Sequence, residues 1–321
     1  MPTIGFHASH EQFAPSTLLD LVRAAERAGF GAAMSSDHFL PWSDAQGQSG
    51  HAWSWLGAAL QATSFPVGVI TVPGYRYHPA IVAQAVATLA EMFAGRFWLA
   101  VGSGERLNEH VTGERWPAKA ERNARLQECA DVMRALWAGE TVTHRGRVTV
   151  EEAKLYTRPA APPRIIGAAI TAETARWLGG WADGLLTVSQ PAPRLRAVVE
   201  AFREGGGEGK PMLLQVKVAY AGSEAEARRG AHEQWRSLVF DSALLAELRT
   251  PAEFEAAGRF VRPEDLDAGI RISLDLERHA AWLREDLALG FEQVYVHNVH
   301  RDQRRFIEDF GAKVLPGLAR V

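Results

Sequence analysis

The residues best able to do chemistry fall in one short run, Ser36-Asp37-His38-Phe39-Leu40-Pro41-Trp42, directly after the apolar segment Phe30-Gly31-Ala32-Ala33-Met34. An imidazole with an ordinary pKa near ~6.5 can take or give a proton at neutral pH. The carboxylate beside it can orient a ring, and the indole can wall a pocket. If the apolar segment is a buried strand, all three side chains leave its C-terminal end, where alternating β/α chains form their binding sites. Each residue also has a plainer reading. His38 could be a satisfied structural histidine, Asp37 a turn cap, and Trp42 one of ten tryptophans packed in a core.

The elements that would position these groups alternate along the chain. Strands are expected at Thr3–Ala8, Gly31–Ser35, Val67–Val72, Phe97–Val101, Ile165–Ile170, Gly184–Val188, Met212–Tyr220 and Gln293–Val296. Helical periodicity fills Ser16–Ala28, Ser54–Thr63, Ala80–Phe93, Glu121–Trp137, Ala172–Gly179, Pro193–Arg203, His279–Leu289 and Arg301–Leu318. The segment Val142–Tyr156 breaks the rhythm as a small β excursion, and a helical insertion over 223–262 follows the seventh strand. Eight such strands predict an α/β chain folded as a (β/α)8 TIM barrel, one domain over 1–321. A doubly wound open sheet is the alternative, but Ala8-Ser9-His10-Glu11 is no glycine-rich turn.

On the barrel reading, polar residues collect at one rim. Glu11 follows the first strand, Asp37, His38 and Trp42 the second, and Ile70-Thr71 close the third. Gly102-Ser103-Gly104-Glu105 with Asn108 follow the fourth, and Gly167-Ala168-Ala169-Ile170-Thr171 the fifth. Gln190 follows the sixth, and His297-Asn298 the eighth. Glu105 alone is a solvated loop acid and Gly102-x-Gly104 alone means little; shared placement is what points to function.

Composition bounds the rest. A net charge of −3 with mixed signs gives no reason to expect a nucleic acid or an anionic membrane as partner, leaving a small-molecule substrate. No apolar run approaches the roughly 18 residues of a spanning helix, and no signal peptide opens the chain, so a cytoplasmic location is expected. The single cysteine, Cys129, sits at helical spacing with Leu126, Val132, Met133 and Leu136 and reads as a buried core thiol. Phe6-His7-Ala8-Ser9-His10 lacks the His-x-His of metal-dependent barrel hydrolases, so no metal is expected.

These motifs together resemble the luciferase-like flavin oxidoreductase superfamily, in the branch of the deazaflavin-dependent glucose-6-phosphate dehydrogenases. The matching pieces are Ala8-Ser9-His10-Glu11-Gln12-Phe13-Ala14-Pro15, Ser36-Asp37-His38-Phe39 with Pro41-Trp42, and Tyr75-Arg76-Tyr77-His78-Pro79-Ala80. Val101-Gly102-Ser103-Gly104-Glu105 with Leu107-Asn108-Glu109, and Asp302-Gln303-Arg304-Arg305-Phe306, complete the set in order along the whole chain. The resemblance implies a flavin-type ring at the C-terminal rim and a homodimer. It implies that Asp37 contacts the ring and orients the imidazole, that His38 faces the substrate, and that Trp42 walls the substrate pocket. Glu105 is implied as a proton donor, and Asn108 as a hydrogen-bonding partner of the ring with Glu11 behind it. It further implies a non-proline cis peptide behind the ring, placed here at Ile70–Thr71.

Two departures shape the expected chemistry. Where those enzymes hold the substrate phosphate with two lysines and an arginine, this chain has Gln190, a position near Ala256, and one near Gly269 with Arg271 close by. Glucose 6-phosphate is therefore not the expected substrate. The loop from Gly167 through Ala168 and Ala169 to Thr171 lacks the family's glycine pair and is one residue longer, although the following helix start still suits a phosphate. This pattern resembles a subgroup returned to ordinary FMN. The expectation is FMN, with the deazaflavin coenzyme as the alternative. The reaction expected is hydride transfer between flavin N5 and a small organic substrate, with monooxygenation as a second outcome. An alcohol or sugar dehydrogenase and a non-catalytic flavin-binding barrel are the rival readings.

Overall fold

In the computed structural model, which describes residues 2–318, the eight expected strands close into a parallel barrel. They are β1 (Thr3–Ala8), β2 (Ala32–Ser36), β3 (Val67–Thr71) and β4 (Phe97–Val101) in the first half. A hairpin, β5 (Val142–Arg145) with β6 (Thr149–Ala153), stands apart as its own antiparallel pair. The barrel resumes with β7 (Ile165–Ala168), β8 (Gly184–Val188) and β9 (Met212–Ala219). The short β10 (Arg271–Ile272) adds only to the end of β9, and β11 (Gln293–Asn298) pairs with both β9 and β1. The pairing β8–β9 closes the ring.

Strand alternation sorts the side chains into two cores. Outward residues such as Ile4, Phe6, Val67, Val69, Leu99, Val101, Val216 and Val218 meet the surrounding helices in the main apolar cluster. Inward residues Ala32, Met34, Ala100, Ile166, Leu186, Leu213 and Tyr295 form a separate cluster inside the ring. Trp98 and Tyr295 fill the barrel at 5.3 Å between ring centroids. They fit because Gly68 and Gly5 stand opposite; a Cβ on either would overlap those aromatic rings.

The helices start where their sequences say they should. Pro15 and Pro79 open the helices Pro15–Arg27 and Pro79–Met92, and Thr171, Ser223, Asp275 and Asp302 cap later ones through side-chain oxygens. Helix Lys119–Ala138 ends at Gly139 with φ of 91° and carries Cys129, fully buried, its thiol pushed up to about 12 by burial. No helix among the described residues is long and apolar enough to cross a membrane.

The insertion after β9 is helical, as expected, but runs further, through helices Glu224–Trp235, Ser242–Glu247 and Pro251–Ala257 to a 3-10 turn at Pro263–Ala268. The sequence reading passed over the short helix Arg106–Glu109 and the strand β10. It also merged Gln303–Asp309 and Leu315–Leu318, which a wide turn at Phe310–Val314 separates. The cis peptide expected at Ile70–Thr71 is not found: among the described residues every peptide bond is trans.

Candidate active site at the barrel mouth

The loops leaving the C-terminal ends of β1, β2 and β4 bring Glu11, His38 and Glu105 together. His38 Nδ1 stands 3.0 Å from Glu11 Oε1, and its Nε2 stands 4.0 Å from Glu105 Oε2. Trp42 packs edge-on against the imidazole at 5.2 Å. The indole is itself held by the insertion, through Phe254 at 5.2 Å and Trp235 at 6.4 Å. The insertion therefore shapes the wall beside His38.

Glu11 is almost completely buried and accepts hydrogen bonds from Ser9 Oγ at 2.8 Å and Ser36 Oγ at 2.7 Å. Burial pushes its carboxyl up, yet the His38 charge, the contact with that ring, His7 and the Ser36 bond together hold it well below the usual range. Burial pushes His38 down, but Glu11 and then Glu105 overcome this, so the imidazole sits above its ordinary value. Glu105 is the opposite case. Burial raises it, against the pull of His38, Lys217 and Arg76, so it titrates above an ordinary glutamate. It opens the helix Arg106–Glu109 with no side-chain cap bond, which leaves its carboxyl free for a ligand. One carboxylate is locked as an anion, another is biased toward the acid form, and an imidazole lies between them.

Asp37 is held by protein partners, and Glu11 rather than Asp37 is placed against the His38 ring. Asp37 Oδ2 accepts from Thr71 Oγ1 at 2.7 Å and its Oδ1 from Tyr77 OH at 3.2 Å. Glu11 likewise stands behind the imidazole rather than behind Asn108. Arg76 ties this corner together. Its Nη2 donates to the Asp37 carbonyl at 2.7 Å and its Nε to Glu109 Oε1 at 3.1 Å, all with side chains nearly closed to solvent. Burial raises the Glu109 carboxyl, with Arg76 pulling the other way.

Asn108 Oδ1 accepts from the backbone N–H groups of Phe39 at 2.8 Å and Leu40 at 3.1 Å. This fixes the loop that carries His38. Its Nδ2 has no protein partner among the described residues, so the amide keeps a donor for a ligand.

Next to this corner the mouth is lined with small and apolar groups. Ile70 ends β3 facing inward, and the Cβ of Ala168 lies 3.8 Å from where a Cβ on Gly102 would be. Gly104 takes φ of 84° in a niche between Val72, Glu109 and Trp116, a conformation that strains other residues. Gly167 closes onto Leu178, Ala169 is buried, and Thr171 caps the helix Ala172–Gly179 by accepting from Thr174 N at 3.3 Å. That helix turns its free N–H groups toward the same rim, a setting suited to a phosphate. A ring with a phosphate-bearing tail fits the small, apolar lining, the free Asn108 donor and this helix start.

Gln190 and His297 each have a protein partner. Gln190 Nε2 donates to Ile170 O at 3.0 Å, joining the loops after β8 and β7. His297 is buried inside the barrel, its Nε2 on Gln12 Oε1 at 3.0 Å and its ring 4.4 Å from that of His7. Burial holds His7 down at about 3 and His297 far below its usual value, so both stay neutral. Sequence reasoning assigned no role to Arg76, Tyr77 or Lys217. The last is a charged residue in the middle of an apolar strand, which is itself a signal.

Comparison with known proteins agrees with this geometry. Residues 2–293 match the luciferase-like monooxygenase family model. An F420-dependent glucose-6-phosphate dehydrogenase of Nakamurella multipartita is 37% identical, covering 98% of this chain and 96% of its own length. Another of that name from Beutenbergia cavernae is 34% identical over 99% of this chain and 98% of its own. Among solved structures, an F420-dependent secondary alcohol dehydrogenase in complex with an F420-acetone adduct superposes with a TM-score of 0.90 at 31% identity, covering 99% of both chains. An F420-dependent tetrahydromethanopterin reductase from Methanopyrus kandleri, at 21% identity and a TM-score of 0.80 over 98% of this chain and 99% of its own, shares the fold. With its barrel closed and its rim occupied by the motifs of that group, the chain belongs to the luciferase-like family of oxidoreductases.

Proposed function

We propose that this protein is a dehydrogenase that oxidises a small alcohol with the deazaflavin coenzyme F420 as hydride acceptor. The observation that carries the proposal is His38 held between Glu11 and Glu105 beside an apolar floor, in a chain whose relatives at 37% and 34% identity bear F420-dependent names. The altered loop from Gly167 to Thr171 favoured FMN and, with it, monooxygenation. The relatives' names and the 31%-identical alcohol dehydrogenase support the deazaflavin instead.

Asn108, Gly102, Ala168 and Ile70 would hold the ring, and Gly167 through Thr171 the phosphate-bearing tail. When bound, the cofactor supplies a two-electron acceptor for the hydride that leaves the carbinol carbon. The protein's own work is placement and proton traffic. His38 takes the hydroxyl proton as that hydride departs, and Glu11 stabilises the imidazolium so formed. Glu105, biased toward its acid form, can donate a proton from the other side of the imidazole. Trp42 excludes water from the pocket. Asp37, clamped by Arg76, Tyr77 and Thr71, holds the loop between β2 and its helix rigid.

The positions that would carry a sugar phosphate are unsuited to it. Gln190 is neutral and engaged with Ile170 O, and Arg271 is committed to both carboxylate oxygens of Asp286, at 2.5 and 2.8 Å. A non-phosphorylated alcohol fits better. The test is titration of the purified protein with F420 and with FMN, followed by assay of secondary alcohols through loss of the oxidised deazaflavin absorbance. F420 binding with alcohol-dependent bleaching is expected. FMN bound more tightly than F420 would overturn the assignment and restore the monooxygenase reading.

A further inference from the structure

One charged group of the barrel mouth has no part in the reaction just described. Lys217 lies on β9 between Val216 and Val218, both buried against the helices, so its own side chain enters the barrel. Register sets it beside His297 on β11. Its Nζ lies 5.7 Å from the centroid of the Trp235 ring, the same indole that backs Trp42. Among the described residues no carboxylate comes within 4.0 Å of this ammonium, although Glu105 and Glu11 are the acids acting on it.

Each acid has a reason not to serve as its counter-ion. Glu11 is already satisfied by Ser9, Ser36 and His38. Glu105 faces His38 and makes no ion pair with Lys217 within 4.0 Å. Of the basic side chains that act on Glu105 besides His38, Arg76 is committed to Glu109 and Asp37, Lys119 donates to Ser103 Oγ at 2.8 Å, and Lys217 Nζ has no hydrogen-bonding or ion-pair partner among the described residues. The neighbouring rings of His7 and His297 stay neutral and add no charge. Burial lowers Lys217 to about 8, which leaves it mostly protonated at neutral pH. A partly buried cation in this position is costly until an anion arrives with the ligand.

We propose that Lys217 binds an anionic group on the substrate itself, and that the substrate is a short hydroxy acid whose carboxylate lies close to its carbinol. The inference rests on the alcohol dehydrogenase reading and narrows its substrate class. A single ammonium matches a monoanionic carboxylate. A phosphate dianion is served by several charged donors, and the other positions that could supply them are neutral or engaged. Closeness to the carbinol is part of the proposal: Trp235, whose ring lies 5.7 Å from Lys217 Nζ, backs the Trp42 indole that packs against His38 at 5.2 Å, and Glu105, which lies 4.0 Å from His38, is influenced by Lys217.

The test compares 2-hydroxy acids of increasing chain length with their neutral amides, in the wild type, Lys217→Met and Lys217→Arg. The wild type should favour the acid over its amide about tenfold to a hundredfold in kcat/KM, as expected for one charge-assisted hydrogen bond. Lys217→Met should bring that ratio to about one, and Lys217→Arg should restore part of it. An amide used as well as its acid, or a ratio unmoved by Lys217→Met, overturns the proposal. F420 titration of each variant runs in parallel, because loss of cofactor binding would indict the parent reading instead. If no alcohol turns over, ligand-observed NMR of 2-hydroxybutyrate decides the matter: binding lost in Lys217→Met supports the site, and equal or absent binding in both proteins rejects it.

Discussion

The two sides of the barrel mouth are built on opposite principles. From β3, β4 and β7 come Ile70, Gly102 and Ala168, which carry no charge, while Glu105 and Asn108, which also follow β4, reach across to the His38 loop. From β1, β2, β9 and β11 come Glu11, Ser36, His38, Lys217 and His297, which make the other side dense with polar groups. One lining is small and uncharged, the other is electrostatically organised. The difference matches a division of labour in which a planar cofactor is held by shape and the substrate is handled by proton-active groups. Both sides need the other: the floor offers no proton path, and the polar side offers no oxidant.

The division is tested most severely by removing the centre of the polar side. His38→Ala should lower kcat by about 10²–10⁴. F420 affinity, which belongs to the floor, should change by less than about threefold. Stopped-flow reduction of bound F420 with equilibrium titration of the same variant measures both. Equal losses in the two would mean that the sides are not separable.

A second test addresses the corner that joins them. Arg76, Asp37 and Glu109 form a buried charge cluster in which one cation serves two acids. Arg76→Met leaves both carboxylates without their cation in a site closed to water. The expected loss of unfolding free energy is about 3–5 kcal/mol, the usual result of breaking a buried pair from one side. Urea denaturation with an unchanged slope would report it. A loss under about 1 kcal/mol would show that Tyr77 and Thr71 alone suffice to hold Asp37.

The polar side was the more legible of the two in the sequence, and for a physical reason. Its members follow short apolar runs, and a polar residue just past a buried strand end has few structural uses. His38 and Trp42 could be placed at the rim that way, with Glu105 and Asn108 from the β4 loop beside them, and the barrel itself followed from the alternation of periods. What could not be read was which acid meets which base. Asp37 adjoins His38 in sequence, yet the imidazole pairs with Glu11 because parallel pairing of β1 and β2 lays Ala8 beside Ser35. The bonds from Thr71 and Tyr77 to Asp37 span 34 and 40 residues and depend on the same kind of register. Lys217 went unassigned although an ammonium inside an apolar strand is anomalous by itself. The FMN expectation rested on the loop after β7, which concerns only the tail of a ligand, whereas the relatives' names favour the deazaflavin alternative.

The subtlest prediction asks how far the polar side tunes its own base. Glu11 holds His38 above its ordinary value of 6.5. Only the neutral imidazole accepts a proton, so kcat/KM for alcohol oxidation should rise with pH through a limb lying above 6.5. Glu11→Gln removes the anion but can keep hydrogen bonds to Ser9 and Ser36, so the limb should move to lower pH. Stability gives an independent reading of the same pair. The raised imidazole contributes fully below 6.5 and loses its share as pH climbs through the folded value. The depressed carboxylate contributes above 4.5 and loses its share as pH falls toward its folded value. The destabilisation caused by Glu11→Gln should therefore be greatest between 4.5 and 6.5 and shrink on the alkaline side. A wild-type limb at or below 6.5, or one that Glu11→Gln leaves in place, would mean that the imidazole is not governed by Glu11 during turnover.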